Sequence, residues 1–312
     1  MENIETRIVF AEEGIRAAAS TLASGGVVGL PTETVYGLGG DALSPVACAK
    51  IFEVKERPLS DPLIVHIPEI GWLDRLAVVS DAARRLAEKF WPGPLTLVLP
   101  RREIVPDLVT AGQETVAIRR SGHPLFREVL KAFGKPVAAP SANRFGRISP
   151  TCAGHVAAEL GGRIPLILDG GSCVHGIEST IALVDAAGIH ILRHGPVTGE
   201  DLAGFGPVHG AVAGISAPGG LLSHYAPRTP LRIGAAIPEA NFGLLAWASD
   251  GKGFPVVEFL SRKQDLREAA SNLYGAMRRL DESGLDGIIA EPLPETGLGA
   301  AIMERLRKAS VR

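Results

Sequence analysis

Short apolar runs closed by proline or glycine constrain this chain more than any other feature: VVGL at 27–30, PLIVHI at 62–67, PLTLVLP at 94–100, PVAAPSAN at 136–143 and PLILDGG at 165–171. Runs this short, with little polar alternation, read as strands covered on both faces. Between them, residues 12–24, 44–55, 80–90, 123–134 and 152–162 carry helical spacing. Ser44-Pro45 offers an N-cap followed by a first-turn proline, Ser80 or Asp81 caps the next helix, and Gly134 closes the fourth. ETVAIRR (114–120) alternates like a strand, and STIALVD (179–185) with IHILRHG (189–195) reads as a strand pair. PTETVYGLGGDA (31–42) reads as a loop, because its proline and glycines disfavour regular structure. Helices and strands mix without strict alternation, so the expected class is α/β with a twisted mixed sheet rather than a purely parallel one.

Periodicity stops at GFGPVHGAVAGISAPGG (204–220), which reads as a linker. Beyond it come PLRIGAA, FGLLAWA and FPVVEFL as strands, the strongly amphipathic QDLREAASNLYGAMRRLDES (264–283), the strand DGIIAEPLP and a last helix from Gly299. The expected division is a first domain at 1–203, a linker at 204–230 and a smaller α/β domain at 231–312. A chain of 312 residues is long enough for two such cores.

A net charge of −2 excludes the broad positive field of a protein that holds nucleic acid mainly by its phosphates, so any anion must be held locally. Cys48, Cys152 and Cys173 are odd in number and outside any Cys-x-x-Cys pattern, which argues against a disulfide framework or a zinc site. The N-terminus MENIETRIVF lacks an apolar core for export, and no apolar run reaches the roughly 18 residues of a membrane span. A cytoplasmic protein is expected. With 37 glycines and 23 prolines, tight turns between buried elements should carry much of the function.

Signatures of P-loops, dinucleotide folds, zincins and serine hydrolases are absent. What remains are polar residues just beyond the predicted strand and helix ends: Thr32, Glu33, Thr34 and Tyr36, then Lys55, Arg57 and Ser60 in KERPLSDPLIVH, then His66. Thr115, Arg119, Ser141, Asn143, Ser149, Thr180 and Arg193 follow. Brought together, these would form an anion pocket of arginine forks, a lysine and hydroxyls, with no carboxylate cluster to balance it. Singly, each has a plainer reading: Lys55 and Arg57 as a solvated helix end, His66 as a hydrogen-bonded core residue, Ser141 and Asn143 as turn formers, Thr32 and Thr34 as turn caps. Glu33 and Glu178 are too far apart in sequence to signal a metal site on their own.

The strings LPTETVYGLG, KERPLSDPLIVHI, WPGPLTLVL, VAIRR, PVAAPSAN and ILRHGPVT, in this order, resemble the YrdC/Sua5 family of L-threonylcarbamoyladenylate synthases. APGGLLSHYAPRTPL (217–231) is similar to the linker of the two-domain, Sua5-type form. The resemblance implies a YrdC-like twisted open sheet with helices around a concave pocket, plus a smaller Rossmann-like α/β domain. It implies condensation of L-threonine, bicarbonate or CO2, and ATP to threonylcarbamoyl-AMP and diphosphate, the first step of a tRNA threonylcarbamoyladenosine modification completed by separate transferase proteins. Carried over, Thr32, His66, Arg119, Ser141 and Thr180 would hold threonine. Lys55, Arg57, Thr115, Asn143, Ser149 and Arg193 would hold ATP, with Lys55 and Arg57 neutralising the leaving diphosphate. Magnesium would be bound mainly through the ATP phosphates, and His224 and Tyr225 would form a lid. The family linker often reads S-P-G-M where this chain has Ala217-Pro218-Gly219-Gly220, which removes an apolar anchor. Two alternatives stand beside the synthase: a carbamoyl-transfer module, and an RNA-binding module whose affinity would fall steeply with salt; weak RNA contact also remains open for the synthase itself.

Overall fold

The computed structural model describes residues 4–212, 218 and 224–311. In chain order the first part contains β1 (Arg7–Val9), α1 (Ala11–Ala23), β2 (Val28–Leu30), β3 (Gly37–Asp41), α2 (Pro45–Lys55), β4 (Ile64–His66), α3 (Trp72–Leu76) and α4 (Asp81–Phe90). It continues with β5 (Leu95–Pro100), α5 (Asp107–Thr110), β6 (Thr115–Arg119), α6 (Pro124–Phe133), β7 (Val137–Ala138), α7 (Ala153–Leu160), β8 (Leu166–Leu168), β9 (Thr180–Asp185) and β10 (Gly188–Arg193). Then come α8 (Gly199–Ala203), β11 (Val208–His209), β12 (Leu231–Ile233), β13 (Phe242–Ala246), β14 (Val257–Phe259), α9 (Leu266–Asp281), β15 (Gly287–Ala290) and α10 (Leu298–Ala309).

Among the described residues, eleven strands form one mixed sheet in the order β1-β8-β2-β3-β7-β4-β6-β5-β9-β10-β11. β4 and β6 run parallel with His66 opposite Arg119, whereas β7 lies antiparallel against β4, so strand ends and starts meet near the middle of the sheet. Side chains alternate across a strand, so Ile64 and His66 share one face, as do Ala117 and Arg119. That face also carries Val98, Ile181 and Leu183, with Val212 of the linker packed against them. The smaller sheet, β12-β15-β13-β14, is parallel throughout. Its core is continuous with the first part, because Val35, Ile148, Ile177 and Tyr225 pack among Leu273, Tyr274 and Met277 of α9.

Local chemistry explains the helix ends. The Ser44 hydroxyl accepts from the Ala47 N–H ahead of Pro45, and Ser80 does the same for α4. α6 ends at Gly134 with φ of 75°. α2 ends at Glu56, left-handed at φ 55°, which turns the chain sharply between Lys55 and Arg57.

One expectation is overturned: residues 37–41 are not loop but the fully buried strand β3. Its glycines are extended rather than turned, and they serve packing. A Cβ on Gly39 would stand 2.5 Å from Leu30 Cδ1, and one on Gly40 3.1 Å from Ile51 Cδ1. β11 pairs parallel with β10 and so extends the large sheet into the stretch assigned to the linker. Residues 213–217 and 219–223 of that linker, and with them most of the Ala217-Pro218-Gly219-Gly220 departure, lie outside the described residues. Among the described residues no helix is long and apolar enough to cross a membrane.

Candidate active site

The face of the large sheet that carries His66 and Arg119 holds a pocket whose wall begins with residues 32–36, directly after β2. Thr32 Oγ1 accepts from the N–H groups of Thr34 (3.0 Å) and Val35 (3.2 Å), which folds the segment into a tight turn. Tyr36 Oη donates to the Gly171 carbonyl (2.8 Å) and accepts from Gly170 N–H (3.0 Å), fastening the loop after β8 alongside. Thr32 and Thr34 therefore cap a turn and line the pocket at once.

Arg119 ends β6 with every nitrogen placed: Nε to the Gly93 carbonyl (3.2 Å), Nη1 to Thr34 Oγ1 (2.9 Å), and Nη2 to Glu33 Oε1 (2.7 Å). Ser121 Oγ donates to the other Glu33 oxygen at 2.5 Å. Burial alone would raise the Glu33 carboxyl, but the Arg119 charge and these donors hold it down at about 2. His66, beside Arg119 and 2 % exposed, is pushed down to about 3, first by burial and then by the Arg119 charge. It is a neutral imidazole at physiological pH, tilted against the Phe126 ring at 5.0 Å.

Lys55 and Arg57 diverge. Lys55, 1 % exposed, points behind the wall, where Nζ donates to the carbonyls of Ser141 (2.5 Å) and Asn143 (2.6 Å). Burial and then the neighbouring Arg57 lower its pKa well below the ordinary lysine value. Arg57 faces the pocket, held by the carbonyls of Asp61 (3.1 Å) and Pro62 (2.8 Å) and by Asp61 Oδ2 (2.9 Å).

On the opposite wall, Arg193 of β10 donates through Nε to the Ser179 carbonyl (3.0 Å), through Nη2 to Ser179 Oγ (3.1 Å) and through Nη1 to the Pro218 carbonyl of the linker (3.1 Å). Glu178 next to it accepts from Ser149 Oγ (2.5 Å), from Tyr274 Oη of α9 (2.9 Å) and from Arg305 Nε of α10 (2.8 Å). His224 and Tyr225 close the pocket from the linker side, their rings 4.1 Å apart, with Tyr225 stacked 5.9 Å from Tyr274. The space left inside is about 40 Å³, room for a few waters and far below the volume of an amino acid with a nucleotide.

Thr32, Arg57, His66, Arg119, Ser141, Arg193, His224 and Tyr225 thus converge on one hollow. Lys55, Asn143, Ser149 and Thr180 stand behind its wall. Asn143 Nδ2 donates to the carbonyls of Arg144 and Arg147 (both 2.8 Å), and the Thr180 hydroxyl donates to the Val197 carbonyl at 2.6 Å. Thr115 lines a separate hollow of about 10 Å³ on the other side of Pro218. The expectation of a pocket without balancing carboxylates is corrected: Glu33, Asp61 and Glu178 are all buried against arginines there. Ser179, Tyr274 and Arg305 escaped the sequence reading. Ser179 is the first residue of the run STIALVD, read only as a strand, and Arg305 sits in MERLRKAS, within the last predicted helix.

A family model described as "Telomere recombination" matches residues 20–195, and one described as "Threonylcarbamoyl-AMP synthase, C-terminal domain" matches 197–311. The chain is 40 % identical to the threonylcarbamoyl-AMP synthase of Pyrococcus abyssi, over 99 % of this chain and 96 % of that protein. It is 42 % identical to that of Bacillus subtilis, over 95 % of this chain and 92 % of the other. The crystal structure of P. abyssi Sua5 complexed with L-threonine superposes with a TM-score of 0.89 at 37 % identity, covering 98 % of this chain and 97 % of that one.

Proposed function

This chain belongs to the YrdC/Sua5 family in its two-domain, Sua5-type form, and from that premise we propose that it is a threonylcarbamoyl-AMP synthase. It condenses L-threonine, bicarbonate or CO2, and ATP into threonylcarbamoyl-AMP and diphosphate. The observation that carries this reading is the gathering of Thr32, His66, Arg119 and Ser141 with Arg57 and Arg193 in one buried hollow.

Threonine occupies the end built from Thr32, His66, Arg119 and Ser141, with the fixed Arg119 guanidinium facing its carboxylate. The nucleotide occupies the end between Arg57 and Arg193. The threonine amine adds to CO2, its proton passing to water, or to bicarbonate, whose hydroxyl leaves as water with that proton, and a carbamate oxygen then attacks the α-phosphorus as diphosphate leaves, a nucleotidyl transfer. Arg57 and Arg193 stabilise the charge that develops on the phosphates, so the protein contributes chiefly positioning and electrostatics. Lys55, Asn143, Ser149 and Thr180 act from behind by fixing the loops that present the wall. Thr115 lines a neighbouring hollow that shares Pro218 with this pocket, so its contact with the nucleotide is part of the proposal rather than of the pocket as it stands.

Among the described residues no cluster of three or more His, Cys, Asp or Glu side chains could hold a metal, and Glu33 and Glu178 are engaged by arginines. Magnesium would enter as the counter-ion of ATP and would be held chiefly through the nucleotide, since Glu33 and Glu178 already face arginines. Because so little space is left, His224, Tyr225 and Pro218 must withdraw to admit substrates; returning, they exclude water from a carbamate that decomposes easily. The product passes to separate transferase proteins that modify tRNA, in the cytoplasm. Diphosphate release with L-threonine, bicarbonate and ATP each omitted in turn tests the reading. Dependence on all three is expected, and release without threonine would overturn it.

A further inference from the structure

The three pocket arginines differ in their counter-charges. Arg57 has Asp61 at 2.9 Å and Arg119 has Glu33 at 2.7 Å, whereas Arg193 has no carboxylate within ion-pair distance among the described residues. Its bonds go to the carbonyl and hydroxyl of Ser179 and to the Pro218 carbonyl, all neutral acceptors. A carboxylate does line the same pocket wall. Glu178 adjoins Ser179 in sequence, and it is taken up by groups that come mainly from the smaller domain: Arg305 Nε at 2.8 Å, Tyr274 Oη at 2.9 Å, and Ser149 Oγ at 2.5 Å. Arg305 is 0 % exposed and donates its Nη2 to the His194 carbonyl (2.8 Å), the residue after Arg193, so it is locked on both sides of that arginine.

We propose that Arg305, reaching in from α10, sequesters Glu178 and so keeps Arg193 electrostatically free to hold the anionic part of the nucleotide. The smaller domain then has a role in substrate binding without touching substrate. Arg305 is a positioning residue in this sense, and the inference rests on the assignment of Arg193 to ATP. In a buried site an unscreened carboxylate would seek the nearest cation, and Arg193 is the uncommitted one facing it. The mutual influence is already visible, since the Glu178 carboxyl, which burial would raise, is held at about 2 by Arg305 and next by Arg193.

Arg305→Met is expected to raise KM for ATP roughly tenfold or more while KM for L-threonine stays within about threefold, because Arg119 keeps its own partner Glu33. Adding Glu178→Gln removes the stranded charge. KM for ATP in Arg305→Met/Glu178→Gln is then expected within about threefold of Glu178→Gln alone. If Arg305→Met does not fold, that second comparison decides, since the double variant strands no carboxylate beside Arg193. Binding of inorganic diphosphate, followed by calorimetry on the same proteins, should rank wild type and the double variant above Arg305→Met. This ranking tests Arg305 even if the wild type fails to release diphosphate from the three substrates, a result that would count against the synthase reading alone. The inference is overturned by a folded Arg305→Met with wild-type KM for ATP. Equal rises in both KM values, as a general loosening of the fold would give, also overturn it, and so does a double variant that loses about tenfold relative to Glu178→Gln.

Discussion

Lys55 shows how a residue can serve a site from outside it. Its ammonium reaches the carbonyls of Ser141 and Asn143 across 86 and 88 positions of sequence, so it sets the height of the loop that carries the Ser141 hydroxyl into the pocket. Lys55→Met keeps the buried stem but strands two acceptors, and a buried acceptor without a donor costs on the order of 1–3 kcal/mol. Release of the buried charge offsets part of that, so a net loss of about 2 kcal/mol is expected, seen as a lower urea midpoint at unchanged slope. With the loop loosened, KM for L-threonine should rise more than KM for ATP. The opposite split would put Lys55 on the phosphates after all. The string K-x-R marked the right place in the sequence, but the divergence of its two cations depends on the left-handed Glu56 between them, which no spacing rule reveals.

Among the elements, the apolar runs at 62–67, 94–100 and 165–171 were legible because burial on both faces leaves an unbroken hydrophobic signature. β3 was not, since its glycines mimic loop composition while filling a packing role. Gly39 tests this. A methyl there would meet Leu30 Cδ1 at 2.5 Å and Val137 Cγ1 at 3.0 Å, so Gly39→Ala should destabilise by about 1–3 kcal/mol, the usual cost of overpacking a core. Gly71→Ala is the control: it sits at φ −60°, nothing lies within 4 Å of its would-be Cβ, and its urea midpoint should stay close to wild type. Equal midpoints for the two variants would mean that β3 is looser than its contacts imply. The short edge strands β1 and β11, at two or three residues each, lie below the length at which periodicity speaks.

Across the whole molecule, the site depends on groups that only the assembled fold brings together. Glu178 and Arg305 are 127 positions apart, and Arg305 lies in MERLRKAS, a mostly basic helical run that composition alone assigns to solvent. The same assembly buries histidines where their charged form is costly, which makes stability depend on pH. His66 and His224 are pushed down to about 3 from 6.5, in both cases first by burial; Arg119 next lowers His66, while on His224 the upward pull of Glu178 is opposed by Arg57, Lys55 and Lys308. Between pH 6.5 and about 3 both stay neutral in the folded chain while the unfolded chain takes up a proton at each. The unfolded state therefore binds more protons, and stability is full above pH 6.5 and lost as pH falls through that window. Two such groups give a slope of about 2.6 kcal/mol per pH unit near pH 5. His155, lowered to about 4, adds a smaller, solvent-screened part of the same sign. Below pH 4.5, Glu33 and Glu178, both held at about 2, steepen the loss in the same direction. Urea unfolding at pH 7.5, 6.5, 5.5 and 4.5 should show a plateau followed by this decline, and His224→Phe should flatten it by close to one proton. A stability that is level from pH 7.5 to 4.5 would mean that the lid histidine and His66 reach solvent in the folded protein.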